Sequence, residues 1–186
     1  MIYPGKNLPS EIKPDIKQYK ALIKFIGTIY GPIADIGSVS LKTAYISENY
    51  HADISQINQF DFNFPVPYVG ERFSTVLCFE VIEHIQNPLQ FMQFVKSLID
   101  PVTGTIYLST PGRMPFMWSS RHFFEMTPSH FKKWICNPLD LVIVEHRRIP
   151  VKPDFNLGDI GIRPLLRMPF KLFNYTNAYK IKSKQV

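Results

Sequence analysis

The chain has 186 residues, of which 45% are hydrophobic and 14% aromatic, with a formal net charge of +6. That composition excludes a disordered chain and suffices for a globular unit with a sizeable core. Two cysteines are too few for a disulfide framework and form no C-x-x-C metal knuckle, and no apolar run approaches the ~20 residues of a membrane-spanning helix. The excess positive charge gathers after Arg147 (Arg147, Arg148, Lys152, Arg163, Arg167, Lys171, Lys180, Lys182, Lys184), which reads as a solvated basic tail or as a patch for an anionic partner. The amino terminus lacks the apolar core of a signal peptide, so the expectation is a reduced, cytoplasmic protein without a membrane span.

In chain order, residues 11–29 carry apolar side chains at helical spacing (Ile12, Ile16, Tyr19, Leu22, Ile23, Ile26), with Pro14 in the first turn. A break at Gly31-Pro32 precedes Ile33-Ala34-Asp35-Ile36-Gly37, a short buried strand turning at glycine. Ser40 is positioned to cap a brief helix through Asn49. His51 to Ser55 reads as a second strand and Phe60 to Phe64 as a third, before a loop marked by Pro65 and Pro67.

Ser74 to His84 (STVLCFEVIEH) is the most informative stretch. It is a β-rich apolar run ending in two acids and a histidine. A run of this kind, followed by a helix from Asn87 to Ile99, is that of a parallel strand buried on both faces. Ligands of such sheets bind beyond the carboxyl ends of the strands, which makes Glu80, Glu83 and His84 functional candidates. Thr105 to Ser109 is another strand, and Thr110-Pro111-Gly112 opens an irregular aromatic loop containing Arg113, Trp118 and Arg121. Thr127-Pro128 starts a helix to about Ile135, Leu141 to Arg147 is a strand, Asp159 to Phe170 a short helical excursion, and Asn174 to Lys182 a last strand. The order predicts a three-layer α/β/α, Rossmann-like doubly wound sheet, mostly parallel, with an antiparallel strand at the C-terminal edge. A single domain over 1–186 follows: a helical segment to 30, a core over 31–150, and a strand with the basic tail over 151–186.

Taken together, these pieces resemble the class I S-adenosylmethionine-dependent methyltransferases, in the group whose fourth strand ends in E-V-I/L-E-H. Ala34 to Ser38 resembles the first-strand glycine motif, Phe73 to His84 with Asn87-Pro88 the fourth strand, Gly104 to Gly112 the fifth, and Arg121 to Thr127 (RHFFEMT) the substrate-side segment. The likeness covers roughly residues 30–150. It departs from the group in its glycines, since Ser38-Val39-Ser40 follow Gly37, and in the short stretch before Asp61, which implies a missing or minimal helix.

The resemblance implies S-adenosylmethionine as cofactor and a small-molecule acceptor methylated on oxygen or nitrogen. Asp35 and Gly37 would face the methionyl end, Asp53 the ribose, Asp61 and Phe62 the adenine, and Cys78, Phe79 and Glu80 the sulfonium side. Plainer roles stand beside these: Asp35 bonding turn amides, Asp53 and Asp61 as solvated loop acids, Cys78 and Phe79 as core. Glu83 and His84 could cap the next helix; alternatively Glu80, His84 and His122 could act as base or position the acceptor. A third reading is a divalent-metal set of Glu80, Glu83, His84 and His122, as in the branch that methylates the terminal 2′-hydroxyl of small RNAs, which makes RNA an alternative partner. A non-catalytic binding protein of the same fold is the reading from another class. Arg113, Trp118 and Arg121 would cover the acceptor, while His51, His130 and His146 fit no site pattern.

Overall fold

The computed structural model describes residues 16–38, 41–68, 70–112, 121–151 and 174–185. Six strands form one sheet: β1 (Ile33–Ile36), β2 (Ile54–Ile57), β3 (Thr75–Phe79), β4 (Thr105–Pro111), β5 (Leu141–Pro150) and β6 (Tyr175–Ser183), in the order β2-β1-β3-β4-β6-β5. The first four pair in parallel, and β6 runs antiparallel to both β4 and β5. β6 is thus inserted one place in from the edge, the only antiparallel member among the described strands.

Both faces of the sheet are covered. Val76, Cys78, Ile106, Leu108, Tyr179 and Ile181 face one core, completed by α3 (Pro88–Leu98) and by Phe131, Ile135 and Cys136. The intervening Leu77, Tyr107 and Ala178 face the other core, with Leu22, Phe25 and Ile26 of α1 (Ile16–Ile26) and Ile46 of α2 (Leu41–Tyr50). This two-sided burial explains why β1, β3 and β4 are nearly continuous apolar runs rather than alternating ones. The three-layer α/β/α sheet agrees with the sequence expectation.

Local signals set the helix starts. Asn87 accepts a hydrogen bond from the Gln90 amide (3.2 Å) ahead of Pro88, and Thr127 accepts one from the His130 amide (3.3 Å) ahead of Pro128. The second helix, α4 (Pro128–Phe131), continues as a wider π turn over Lys132–Cys136 and a 3-10 turn to Leu139. Glu83 and His84 therefore do not cap α3; Asn87 does.

Three expectations are corrected. The second strand is Ile54–Ile57, not His51–Ser55, because His51 turns with φ 48° and β2 starts where Ile54 pairs with Ile33. Phe60 to Phe64 is not a strand. Asp61 Oδ1 captures the amide of Asn63 (3.0 Å), and Phe60 and Phe62 both pack on Phe94 of α3. The fourth-strand motif ends as a strand at Phe79; Glu80 has φ 57° and Ile82–His84 form a 3-10 turn. Pro14, Ser40, Arg113, Trp118 and the Asp159–Phe170 excursion lie outside the described residues.

Of the other histidines, His51 is exposed, while His130 and His146 pack within the protein. His130 stacks on Trp134 at 4.3 Å, and His146 stacks on Tyr179 at 4.9 Å while bonding Asn177 (2.9 Å). Tyr179 is fully buried, and its hydroxyl meets no hydrogen-bond partner among the described residues; burial pushes the phenol well up. Removing an unsatisfied buried hydroxyl is favourable. Tyr179→Phe is expected to stabilise the protein by about 1 kcal/mol, raising the melting temperature by about 2–4 °C. A fall in melting temperature would refute this account of the hydroxyl.

Candidate functional site

The site is built where β1, β2 and β3 end together, as parallel sheets require of their ligand crevices. After β1 the chain turns at Gly37 with φ +111°, and a Cβ there would lie 2.9 Å from Val81 Cγ2. Only glycine takes this conformation without strain. The Gly37 amide donates to Ile57 O (3.1 Å), and Gln56 Nε2 donates to Gly37 O (2.7 Å), so β2 grips the turn.

Beyond the strand ends lies an open cleft of about 540 Å³. Asp35, Gly37, Ser38 and Asn58 line one side, Phe60, Phe62 and Phe79 supply apolar walls, and Glu80, Val81 and His84 close the other. The volume falls within the range of small-molecule sites. Among the described residues no side chain fills it.

Asp35 is 3% exposed, and its carboxylate accepts from Thr43 Oγ1 (2.5 Å) and Gln56 Nε2 (3.3 Å). Thr43 of α2 and Gln56 of β2 thus anchor it from two elements. Phe62 and Phe79 line the cleft, while Asp61 is exposed and absent from its wall. Asp53 falls outside the cleft altogether. It precedes β2, at the amino end of the sheet, and Asn58 occupies the place past that strand's carboxyl end. Cys78 is fully buried in the core and does not line the cleft. Burial, and then the carboxylates of Asp35, Glu83 and Glu80, push its thiol well up, so it is no nucleophile.

The E-V-I-E-H segment divides into two. Glu80 leaves the strand in the left-handed region and its Oε1 accepts from Ser109 Oγ (2.6 Å). Three residues on, the 3-10 turn sends Glu83 (1% exposed) and His84 to the segment after the acceptor loop. The Phe123 amide donates to Glu83 O (2.8 Å), which brings His122 against His84 with ring centroids 5.0 Å apart.

Glu83, His84 and His122 thereby offer ligand atoms within 4.8 Å of one another. Glu80 is not among them, which corrects the expected four-residue set. Each imidazole is oriented from behind: His84 Nδ1 donates to Arg121 O (2.9 Å) and His122 Nδ1 to Glu125 Oε1 (2.8 Å). An acceptor behind the Nδ1 of each ring is the arrangement usual for metal-binding histidines. One carboxylate and two imidazoles suit Zn²⁺, Mn²⁺ or Fe²⁺, and His84 joins the cluster to the cleft wall.

Gln56, Thr43, Asn58, Glu125 and Ser109 were not singled out from sequence. For Gln56 a signal exists, since it is the register partner of Asp35 across β1 and β2.

No family model matches the chain. Across 39% of its length it is 32% identical to a ubiquinone biosynthesis O-methyltransferase of Haemophilus ducreyi, a match spanning about a third (34%) of that relative. Among solved structures it is similar to the O-methyltransferase of a trans-AT PKS multienzyme of Brevibacillus brevis, in complex with S-adenosyl-L-homocysteine. There the TM-score is 0.58 at 13% identity, covering 91% of this chain and 72% of that one. The fold is that of the class I methyltransferases. The 4+2 cyclase SpnF is equally similar, with a TM-score of 0.61 at 8% identity over 90% of this chain and 80% of that one. At such identities the likeness concerns the fold, and function must be argued from the site. No helix or further strand occurs among the described residues between β2 and β3. No described helix is long and apolar enough to cross a membrane.

Proposed function

We propose that the chain is an S-adenosylmethionine-dependent methyltransferase acting on an oxygen or nitrogen atom of a small-molecule acceptor. The observation that carries this reading is the open cleft at the ends of β1–β3, with a glycine turn at its floor and the imidazole–carboxylate cluster at its rim. S-adenosylmethionine would supply an already activated methyl group, so the protein needs chiefly to align it with the acceptor. Gly37 would admit close backbone approach, Asn58 would take the ribose-side role expected of Asp53, and Phe60 and Phe62 would supply apolar wall for the adenine end. His84, on the cleft wall, with His122 packed beside it, would receive an acceptor proton.

The matched ubiquinone-pathway relative favours a small aromatic acceptor, as does the size of the cleft. The RNA reading has less to stand on. Within the described residues Arg147 pairs with Glu145 (2.6 Å) and Arg148 and Lys180 lie over Tyr175 and Tyr107, so part of the basic excess is engaged in the sheet. The rest of that segment, including Lys152, Arg163, Arg167 and Lys171, lies outside the described residues.

Calorimetry with S-adenosylhomocysteine tests the reading: saturable one-to-one binding is expected, and absence of heat at millimolar ligand would overturn it in favour of a non-catalytic fold relative. The cluster also supports a metal-assisted version, in which Glu83, His84 and His122 would hold a divalent cation that acidifies the acceptor hydroxyl. One equivalent of Mn²⁺ or Zn²⁺ is expected to bind the metal-stripped protein, and His122→Ala to weaken it by at least about 100-fold. Equal affinity in the variant would sink the metal-assisted version alone.

A further inference from the structure

A second cavity, of about 670 Å³, lies at the opposite end of the sheet from β2, between the helical stretch Pro128 to Leu139 and strands β5 and β6. It shares no residue with the cleft at the ends of β1–β3, and its volume is that of a small-molecule site. The chain builds it in two steps. A π turn over Lys132–Cys136, a form that is rare and recurs at functional sites, carries Lys132 to the cavity. A 3-10 turn then reverses at Asp140, in the left-handed region at φ 48°, to enter β5. The Lys184 amide donates to Asp140 O (2.7 Å), which ties the end of β6 to that reversal.

The floor of this cavity is apolar and its rim is charged. Buried Leu141 and Tyr179 and half-buried Ile143 lie deepest. The His146 ring is fixed flat against Tyr179 at 4.9 Å, with its Nε2 donating to Asn177 Oδ1 (2.9 Å). On the rim stand the exposed Lys132 and Lys184, against the single carboxylate of Asp140. Neither ammonium belongs to an ion pair among the described residues. Two cations and one acid leave the rim net positive, which attracts an anionic head group. The floor selects further, because a bare inorganic anion would leave its apolar area in water, whereas an organic body would cover it.

We propose that this cavity is a second binding site, for a small aromatic carboxylate whose anionic group is held by Lys132 and Lys184 while its ring lies over Ile143 and the His146–Tyr179 stack. A planar body fits a wall made of stacked rings better than a branched one does. The site is separate from the adenosyl cleft in position and in charge, since no lysine or arginine lines that cleft among the described residues. It also gives a role to Lys184, part of the basic excess at the end of the chain.

The test compares 1-naphthoate with its neutral counterpart 1-naphthalenemethanol, by calorimetry and by backbone amide shifts of the full chain. Naphthoate is expected to bind one to one and at least about fivefold more tightly than the alcohol, and the preference should shrink in about 1 M salt, which screens exposed charges. Amide shifts should move at Ser129, Lys132 and Ile143 and stay in place at Gly37 and Asn58. Lys132→Gln combined with Lys184→Gln, both at exposed positions, should bring the two affinities within about twofold by weakening the acid alone. Ser129→Phe, which fills the cavity from its exposed side, should weaken both probes by at least about tenfold. Equal affinity for acid and alcohol, a preference that survives the double lysine variant, shifts centred on the cleft, or no binding at millimolar probe would each overturn the assignment. None of these results bears on adenosyl binding, which S-adenosylhomocysteine measures separately at the other end of the sheet.

Discussion

Gly37→Val is expected to abolish adenosyl binding while leaving a folded but less stable protein. At φ +111° any side chain is strained whatever the space around it, at a cost of about 1–3 kcal/mol. Space is also short, because the new Cβ would stand 2.9 Å from Val81 Cγ2, and Val81 lines the cleft. The branched side chain would push into the cleft or displace the Val81 wall, and in either case the 540 Å³ available to a ligand shrinks. Calorimetry should show S-adenosylhomocysteine affinity reduced by at least about 100-fold, the equivalent of two factors of ten at about 1.4 kcal/mol each. Ser38→Ala, at the exposed rim of the same cleft, should change affinity little. Binding retained by Gly37→Val would mean that the ligand does not approach this turn.

The largest loss of stability is expected from Phe91→Ala. Phe91 is 1% exposed in the core between α3 and the sheet, and its ring meets Phe62 at 5.4 Å in a steep edge-on contact. Truncating a buried phenylalanine costs about 3–5 kcal/mol through lost burial and the cavity left behind. The expected fall in melting temperature is about 10 °C. Phe91 also braces Phe62, which holds the segment after β2 against α3 without any strand pairing. The variant should therefore lose adenosyl affinity as well, although Phe91 itself does not line the cleft. Phe64→Ala serves as the contrast: Phe64 is 66% exposed, and its removal should alter neither quantity. A melting temperature within about 3 °C of wild type for Phe91→Ala would refute the bracing argument.

The same contrast shows how far a likeness in fold reaches. A methyltransferase and a 4+2 cyclase superpose on this chain about equally well, so the sheet cannot choose between activities. The choice lies with a few side chains at the strand ends, and there the structure sorts the candidates by position. Asp35, Gly37, Phe62, Phe79, Glu80 and His84 do meet at one cleft. Asp53, Asp61 and Cys78 do not, and Glu80 parts company with Glu83.

The amino-acid sequence by itself determined the elements whose signals are local or dense. Apolar runs such as Thr75–Phe79 and Thr105–Leu108 can be buried only between two helical layers, and Asn87-Pro88 and Thr127-Pro128 begin helices wherever they stand, because cap and proline act within a single turn. Only the tertiary structure decided where β2 begins, since His51–Ile57 holds too few apolar residues to set a register and its pairing with Ile33 does so instead. It also decided that the Phe60–Phe64 alternation, which is strand-like on paper, turns at Asp61 and packs both aromatics on α3. The direction of Glu80 was likewise beyond the sequence. A left-handed backbone conformation is held by a hydroxyl 29 positions away on β4, and no short-range pattern records a contact of that separation.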